Sequence, residues 1–312
     1  MTHTALQDVG GARPTVLTVG FFDGFHLGHR AVVDRVTAAA RLHDARSAVV
    51  TFDPHPRTVL TGHNVPLLST LDEKSDLLLA AGIDLVVMVP FNRMLSESTA
   101  AEFVSDVLVD RMGAIHIVVG YDHSIGKGGA GDASTISRLG HDLGFTTEIV
   151  LPQIGPNGAF SSSRIRDSLQ QRGDVGLAAS QLGRLYDLTG TVVRGAGRGK
   201  DLGFPTANLE PAKPLKVVPA DSVYAVRVTR QANNIEYEGI MNIGVRPTLT
   251  SGSARVLEVH LLEFDENLYG ENLTVRFVDR IRGEQKFDGV EALKKQIRAD
   301  LEDCIRILSR LP

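Results

Sequence analysis

The pattern of apolar residues changes near residue 183, and this change limits the fold more than any other feature of the chain. Before it, short apolar runs typical of strands alternate with stretches of helical periodicity. The run at 83–90 is apolar throughout, as expected of a strand that is covered on both faces. Alternating strands and helices predict a parallel, doubly wound sheet. Residues 1–183 are therefore predicted to form an α/β domain.

The predicted elements of this first part follow one another regularly. Two helix starts carry the spacing of a capping box, Thr70 with Glu73 and Thr99 with Glu102. The predicted strands cover 15–20, 47–52, 83–90, 114–120 and 146–152, and the predicted helices include 27–42, 72–81 and 133–143.

The second part of the chain is rich in strands that alternate apolar and polar residues. Its five strand-like segments are 186–195, 222–230, 235–244, 254–264 and 271–281. Closely spaced strands without helices between them predict an antiparallel barrel or sandwich. One helix is predicted over 288–310, because its apolar residues recur on one face. Residues 184–312 are therefore predicted to form a second domain, an antiparallel barrel or sandwich with a terminal helix.

The composition of the 312 residues excludes several classes of protein. A net charge of −4 gives no general attraction to nucleic acid or to an anionic membrane. The single cysteine, Cys304, cannot form an internal disulfide, and no apolar run approaches the ~18–20 residues that span a bilayer. We therefore expect a cytoplasmic protein without nucleic-acid or membrane partners.

The first chemical motif, GFFDGFHLGH, lies at 20–29, where the first predicted strand meets the first helix. Open α/β sheets bind ligands at this carboxyl edge, and a helix N-terminus supplies amides for phosphate. His26 and His29 share a face of the helix, and Gly28 leaves no side chain between them. Two imidazoles in this position suit nucleotidyl transfer, where positioning and charge stabilisation dominate.

Other interpretations of this motif stay open. It could be a plain helix start with two surface histidines, or an HxxH metal site, although no companion ligand has an obvious spacing. The segment SSSRIR at 161–166 could supply helix caps, or hydroxyls and a positive charge for a triphosphate. A Walker loop and a GxGxxG turn after the first strand are both absent from the sequence.

A second group of candidates lies in the strand-rich part. Thr206 and Asn208 are two residues apart, so on an extended segment both side-chain oxygens point the same way and could reach one Mg²⁺. The glycine-rich stretch 194–203 is either a phosphate-binding loop or a turn with solvated basic residues. Glu258 alternates with apolar neighbours and is a surface residue unless a substrate hydroxyl lies within reach.

These segments together resemble the family of bacterial bifunctional riboflavin kinases/FMN adenylyltransferases over about residues 15–310. The HxGH motif occurs in many nucleotidyltransferases, whereas GFPTAN followed by NIGxRPT and EVH is highly specific. The matching segments are GFFDGFHLGH (20–29), TFDPHP (51–56), VGYDH (119–123), SSSRIR (161–166), RGKDLGFPTAN (198–208), NIGVRPT (242–248), LEVH (257–260) and RGEQKF (282–287).

The resemblance implies a Rossmann-like nucleotidyltransferase domain followed by a β-barrel riboflavin kinase domain. The barrel would phosphorylate riboflavin to FMN, and the first domain would join AMP from ATP to FMN, giving FAD and pyrophosphate. The implied small molecules are riboflavin, FMN, FAD and ATP as co-substrate, with Mg²⁺ and without a tightly bound cofactor. The resemblance also implies that this chain could assemble into a transient homo-oligomer.

The matching positions imply a set of site residues. The implied catalytic residues are His26, His29 and Glu258, and the implied Mg²⁺ ligands are Thr206 and Asn208. ATP and its phosphates would contact Gly20, Phe22, Asp23, Gly24, Gly28, Ser162, Ser163, Arg166, Arg198, Gly199, Lys200 and Gly203. The flavin would contact Phe52, Asp53, His55, Pro56, Asp122, His123 and Ile125.

The chain departs from the family pattern most clearly at 120–131, where GxDFxFGxxRxG is common. Here His123 and Ile125 replace two aromatic residues, and Gly129 stands where an Arg is common. Less aromatic surface would weaken FMN binding or accompany a different nucleotide or flavin analogue. Two alternatives are therefore kept: a riboflavin kinase with an inactive or altered first domain, and a non-catalytic flavin-binding regulator.

Overall fold

The computed structural model describes residues 3–10, 13–156, 158–195, 203–247 and 253–310. By its internal contacts the chain divides into an N-terminal unit, Met1–Ser162, and a C-terminal unit, Ser163–Pro312. Among the described residues, no helix is both long and apolar enough to cross a membrane.

The N-terminal unit is built on a parallel six-stranded sheet. Outside this sheet, β6 (Ser124–Ile125) pairs with β7 (Gly131–Asp132), and β9 (Ile154–Gly155) pairs with β10 (Gly158–Ala159). The strands of the sheet are β1 (Thr4–Ala5), β2 (Thr15–Val19), β3 (Arg46–Asp53), β4 (Leu85–Pro90), β5 (Ala114–Gly120) and β8 (Thr146–Val150). They lie in the order β1-β4-β3-β2-β5-β8, and every neighbouring pair is parallel. The predicted parallel α/β arrangement is confirmed. The short edge strand β1 was not predicted, because two residues give no periodicity.

Helices cover both faces of this sheet. Alternate residues of β2, Val16 on one side and Leu17 on the other, enter two separate apolar clusters. Both predicted capping boxes are present. The helices are α1 (Leu27–Leu42), α2 (Pro56–Thr61), α3 (Leu71–Ala80), α4 (Arg93–Glu97), α5 (Ala100–Glu102) with the π-helical Phe103–Arg111 after it, and α6 (Ala133–Leu143).

The strand order determines where a ligand can bind in the N-terminal unit. From β2 the chain proceeds outward through β3 and β4 on one side, and then returns to place β5 and β8 on the other side. In open α/β sheets the crevice forms at the carboxyl ends of the two strands where the order reverses. The turn that follows β2 and the loop that follows β5 therefore border the expected site.

The C-terminal unit contains a closed antiparallel barrel of six strands in the order β11-β12-β15-β14-β13-β16. Its strands are β11 (Tyr186–Val193), β12 (Ala207–Pro211), β13 (Ser222–Arg230), β14 (Ile235–Pro247), β15 (Ser253–Leu261) and β16 (Asn272–Gly283). The helices α7 (Ser162–Asp167), continued by the π-helical Ser168–Arg172, and α8 (Val175–Leu182) precede it. The barrel prediction is confirmed, and β12 is a strand that the alternation did not indicate.

The last helix, α9 (Val290–Leu308), packs on the outside of the barrel. Its Cys304 and Leu308 contact Ala225 of β13 and Val278 of β16. Because side chains alternate along a strand, the next residues of the same strands fill the barrel interior instead. The outer face beneath α9 is therefore also protected from water, and a site can form there.

Candidate active sites

The turn after β2 has an unusual backbone. Phe22, Gly24 and Phe25 have φ angles of 54°, 75° and 38°. Bulky residues rarely adopt this left-handed conformation, and it persists only where the surroundings hold it. Both phenylalanines are about 95% buried in the apolar cluster beneath the sheet's edge, at 5% and 6% exposure. Core packing therefore fixes the shape of this turn.

The two histidines of the motif form one stacked pair. His26 is the N-cap of α1, and its Nδ1 accepts a hydrogen bond of 3.3 Å from the backbone N–H of His29. The two rings stack with centroids 3.6 Å apart and planes 15° from parallel. An accepting Nδ1 leaves the proton of a neutral His26 on Nε2. The shared face that the spacing predicted is therefore present.

Glycine is required between the two histidines. A Cβ at Gly28 would lie 3.0 Å from Cε1 and 3.1 Å from Nδ1 of the His26 ring. Both distances are tighter than ordinary van der Waals contact, so a side chain at this position would displace the ring. The ring of His26 therefore occupies the space that a side chain at position 28 would take.

His29 is held in its neutral form. Burial lowers its pKa well below 6.5, and the nearby charges of His26 and Lys74 lower it further. Its buried Nδ1 has no hydrogen-bond partner, and its ring meets Phe22 edge-on with centroids 5.0 Å apart. His29 is thus a neutral imidazole that stacks on His26 at the N-terminus of α1.

Asp23 uses its carboxylate to hold a neighbouring loop. The side chain is buried and accepts hydrogen bonds of 3.0 Å from the backbone N–H groups of Leu68 and Ser69. Ser69 Oγ in turn accepts a bond of 2.9 Å from the N–H of Gly24. A contact between Asp23 and ATP stays a prediction, whereas this structural role is directly visible.

Replacing Asp23 with Ala is expected to destabilise the N-terminal unit by about 3 kcal/mol, because two buried N–H groups lose their acceptor. Calorimetric unfolding measures this directly, and the chain has no Trp for fluorescence. Asp76→Ala, at an exposed position of α3, is the matched control and should leave the unfolding temperature unchanged. Equal stability of the two variants would contradict the assigned role.

The serine-rich segment meets the turn after β2. Ser162 Oγ donates a hydrogen bond of 2.9 Å to the carbonyl of Asp23, although the two residues are 139 positions apart. Ser163 and Arg166 follow in α7, whose contacts place them with the C-terminal unit. The structure therefore joins Ser162 to the turn after β2, residues 20–26, which is called the histidine-bearing turn below.

The predicted flavin contacts at the end of β3 have different surroundings. Phe52 is a core residue, with its ring 5.6 Å from that of Phe91. Asp53 is exposed, and the side chain of His55 caps α2 by accepting the N–H of Arg57 at 3.1 Å, directly before Pro56. Of these residues, Asp53, His55 and Pro56 lie at the carboxyl edge of the sheet.

The predicted flavin contacts in the loop after β5 also differ in their burial. Asp122 is exposed, whereas Ile125 is buried in the apolar core. Burial lowers the pKa of His123 to about 4, and its buried Nε2 has no hydrogen-bond partner. Gly129 has a φ of 69°, so its backbone conformation favours glycine over the Arg of the family pattern. The buried side chain of Ile125 anchors this loop to the apolar core of the N-terminal unit.

On the barrel, five cross-strand partners form one row beneath α9. Asn208 of β12 pairs with Glu258 of β15, and Glu258 pairs with Asn242 of β14. Asn242 then pairs with Val223, and Val223 with Arg282. Directly paired residues project from the same face of a sheet. Glu258 is thus flanked by an asparagine on each side, and the strand alternation did not single out Asn242.

A cavity of about 370 Å³ lies over this row, between the barrel and α9. Its volume falls within the range of small-molecule sites, which combine apolar walls with a few polar groups. Apolar walls come from Phe204, Phe287 and Ile297, and polar groups come from Thr206, Asn242 and Glu258.

The predicted Mg²⁺ ligands lie beside this cavity. Thr206 lines it together with Glu258, while Asn208 is the direct cross-strand partner of Glu258. The side-chain amide of Asn208 lies against Gly195, where an added Cβ would come within 2.0 Å of Nδ2. Gly203, a predicted phosphate contact, has a φ of 85°, which is a left-handed conformation that favours glycine. The remaining predicted phosphate ligands, Arg198, Gly199 and Lys200, lie outside the described residues.

A buried ion pair holds α9 over the cavity, and the sequence analysis did not find it. Arg282 Nε and Nη2 donate to the Asp300 carboxylate at 2.9 and 2.8 Å. Gln296 Nε2 donates to the same carboxylate at 2.8 Å, and the guanidinium lies 5.5 Å from the Phe287 ring centre. Asp300 is only 3% exposed, so the pair joins β16 to α9 away from water.

Replacing Asp300 with Ala is expected to destabilise the C-terminal unit by about 4 kcal/mol, because an unpaired guanidinium stays buried. Calorimetric unfolding should show the loss. Glu302→Ala, at an exposed position of the same helix, is the control and should unfold like the parent protein. A change below about 1 kcal/mol would mean that Arg282 finds another partner or water.

Comparisons with known proteins agree with this geometry. The FAD synthetase family model matches residues 10–164, and the riboflavin kinase family model matches residues 182–308. A bifunctional riboflavin kinase/FMN adenylyltransferase of Pseudomonas fluorescens is 37% identical over 93% of this chain and 91% of its own length. The protein of that name from Listeria monocytogenes is 34% identical over 95% of this chain and 93% of its own length.

A solved structure is similar over the whole chain. It comes from Streptococcus pneumoniae and is described as a macrolide-efflux protein. It is 30% identical, covers 97% of this chain and 98% of its own length, and superposes with a TM-score of 0.88. Two matching domain families in order, and relatives of the same kind over nine-tenths of the chain, show that it belongs to the family of bifunctional riboflavin kinases/FMN adenylyltransferases.

Proposed function

We propose that this chain converts riboflavin to FMN and then FMN to FAD, using ATP in both steps. The observation that carries the proposal is the row Asn208–Glu258–Asn242 at the edge of a cavity, in a chain that also carries the His26–His29 pair. The proposal assigns riboflavin phosphorylation to residues 184–312 and FMN adenylylation to residues 1–183.

In the kinase reaction, the 5′-hydroxyl oxygen of riboflavin attacks the γ-phosphorus of ATP. The bond from the γ-phosphorus to the β,γ-bridging oxygen breaks, so the products are FMN and ADP. Glu258 lines the cavity and accepts the proton of the attacking hydroxyl. The apolar walls of the cavity hold the flavin ring and exclude water.

Thr206 and Asn208 are the proposed Mg²⁺ ligands. They offer a hydroxyl and an amide oxygen, which are the hard donors that Mg²⁺ prefers, and Asn208 lies directly opposite Glu258. Two protein oxygens suit an ion that keeps several waters and binds substrate phosphates as well. When bound, Mg²⁺ neutralises phosphate charge beside the reacting hydroxyl. Arg198, Gly199, Lys200 and Gly203 are proposed to contact the ATP phosphates.

In the adenylylation reaction, a phosphate oxygen of FMN attacks the α-phosphorus of ATP and pyrophosphate leaves. The imidazoles of His26 and His29 donate hydrogen bonds to the oxygens of the reacting phosphorus, where negative charge accumulates. The N-terminus of α1 adds its partial positive charge. Gly28, which lacks a side chain, lets the ring of His26 keep this position.

The remaining predicted contacts complete this proposal. The triphosphate lies against the turn after β2 and against the serine-rich segment, and the flavin of FMN lies at the ends of β3 and β5. The proposed triphosphate contacts are Gly20, Phe22, Asp23, Gly24, Ser162, Ser163 and Arg166. The proposed flavin contacts are Phe52, Asp53, His55, Pro56, Asp122, His123 and Ile125.

A time course of flavin products tests both assignments. The purified protein is incubated with riboflavin, ATP and Mg²⁺, and the flavins are separated chromatographically. We expect FMN first and FAD later. FMN without FAD, even when FMN is the starting substrate, would refute adenylylation and favour a kinase with an altered first domain. No product at all would refute both reactions.

A further inference from the structure

Lys74 is a buried lysine beneath the histidine-bearing turn. It belongs to α3 and is only 2% exposed. A buried ammonium is costly unless nearby groups compensate it. Its contacts should therefore show what it does there.

The ammonium joins two strand ends. Lys74 Nζ donates hydrogen bonds of 2.8 Å to the carbonyl of Phe21, in the turn after β2, and of 2.8 Å to Thr51 Oγ1, near the end of β3. Thr51 Oγ1 also donates to the same Phe21 carbonyl at 3.2 Å. One side chain of α3 thus connects the histidine-bearing turn to the strand that leads to Asp53.

The contact extends to an aromatic ring at the sheet's edge. Lys74 Nζ lies 4.0 Å above the centre of the Phe21 ring. The Phe21 ring meets the ring of His55, a proposed flavin contact, with centroids 4.1 Å apart. The ammonium therefore supports both the backbone and the ring of Phe21.

Charges near Lys74 show how the ammonium is accommodated. Burial lowers the pKa of Lys74 to about 8, and the carboxylates of Asp23 and Asp53 oppose that shift. Its positive charge also contributes to the low pKa of His29. Asp23, Asp53, His29 and Lys74 thus form one electrostatic group below the proposed adenylyltransferase site.

We propose that Lys74 is a positioning residue for FMN adenylylation, setting the distance between the turn that carries the histidines and the end of β3. This inference rests on the proposed function of the N-terminal unit. FMN and ATP must meet in line, and a misplacement of about 1 Å can cost about 100-fold in rate. The bonds to Phe21 and Thr51 hold the two strand ends at that separation.

Three variants of the full chain test the proposal, and both of its reactions are measured for each variant. Lys74→Met removes the charge and the donors, and Lys74→Arg keeps a cation that can donate to both oxygens. Lys216→Met is the matched control, because Lys216 is also buried, at 6% exposure, but belongs to the barrel unit. Steady-state constants for riboflavin phosphorylation and FMN adenylylation are measured for each.

We expect Lys74→Met to lower kcat for adenylylation about 100-fold, with the KM for ATP within threefold and riboflavin phosphorylation within twofold. Lys74→Arg should recover at least tenfold of the loss. Lys216→Met should adenylylate FMN like the parent. Adenylylation within threefold of the parent in Lys74→Met would overturn the proposal, as would an equal fall in both reactions or no recovery with Arg.

A second measurement tests whether the charge of Lys74 lowers the pKa of His29. In protein with ¹³C-labelled histidine, an NMR titration follows the ring of His29, whose pKa should rise in Lys74→Met as a positive neighbour is lost. An unchanged pKa would refute the link between the two residues. A parent protein that makes no FAD from FMN would refute the proposed function itself, which separates that failure from failure of the inference.

Discussion

Glu258→Gln is expected to lower riboflavin phosphorylation about 10³-fold and to leave FMN adenylylation unchanged. Glutamine keeps the size of the side chain between the cross-strand partners Asn208 and Asn242. It cannot accept the proton of the ribityl hydroxyl, and a positioned base contributes about 10²–10⁴-fold. The measurement is the initial rate of FMN formation from riboflavin and ATP, beside the rate of FAD formation from FMN.

The control for this variant is Glu291→Gln on α9, where the side chain is 89% exposed. It should phosphorylate riboflavin at the parent rate. A fall of less than tenfold in Glu258→Gln would contradict the role of Glu258 as the base. Loss of both reactions in a variant that unfolds at the parent temperature would contradict the separation of the two sites.

His26→Ala is expected to have the opposite selectivity, with adenylylation of FMN lowered about 10³-fold and riboflavin phosphorylation retained. Removing one preorganised donor from a site of charge development costs about 10²–10³-fold. The change also removes the ring that stacks on His29 and the acceptor of its N–H. Rates with FMN and ATP as substrates measure the loss.

The matched control is His141→Ala in α6, because the His141 side chain is 91% exposed. This variant should keep both rates. FAD formation by His26→Ala within tenfold of the parent would rule out the ring as a principal source of transition-state stabilisation. The two variants Glu258→Gln and His26→Ala together separate the reactions in one polypeptide, since each leaves the other site intact.

The pH dependence of adenylylation should reflect the neutral state of His29. Its pKa lies well below 6.5 because of burial and the positive charges of His26 and Lys74. Lowering the pKa keeps the imidazole uncharged as the pH falls through 6.5, so protonation of His29 should diminish the rate only at lower pH. A rate that halves near pH 6.5, with a histidine titrating there by NMR, would contradict this assignment.

Much of the fold follows from patterns that extend over many residues. The alternation of apolar runs and helical periodicity in 15–152 leads to a parallel sheet, because strands covered on both faces must be apolar throughout. The period of two after residue 183 leads to an antiparallel barrel or sandwich, because one face of each strand is buried, and the closed strand order decides for the barrel. Short strands such as β1 and β12 could not be predicted in this way, because they contain too few residues to show a period.

The sequence also predicted which residues of one short segment lie close together. His26 and His29 stack because they lie three residues apart where a helix begins, and Thr206 and Asn208, on either side of Ala207, both lie beside Glu258. Gly28 is needed for the same local reason, as a Cβ would meet the His26 ring. Each of these pairs involves residues that are at most three positions apart in the sequence.

Contacts between distant segments required the tertiary structure. Lys74 reaches Phe21 across 53 positions, and Asp300 reaches Arg282 on a different element. Nothing in the spacing of a lysine or an aspartate reveals whether a distant carbonyl or guanidinium will be its partner. The sequence was therefore sufficient for two fold classes and the local motifs, whereas the burial and pairing of charges depend on how separate elements pack.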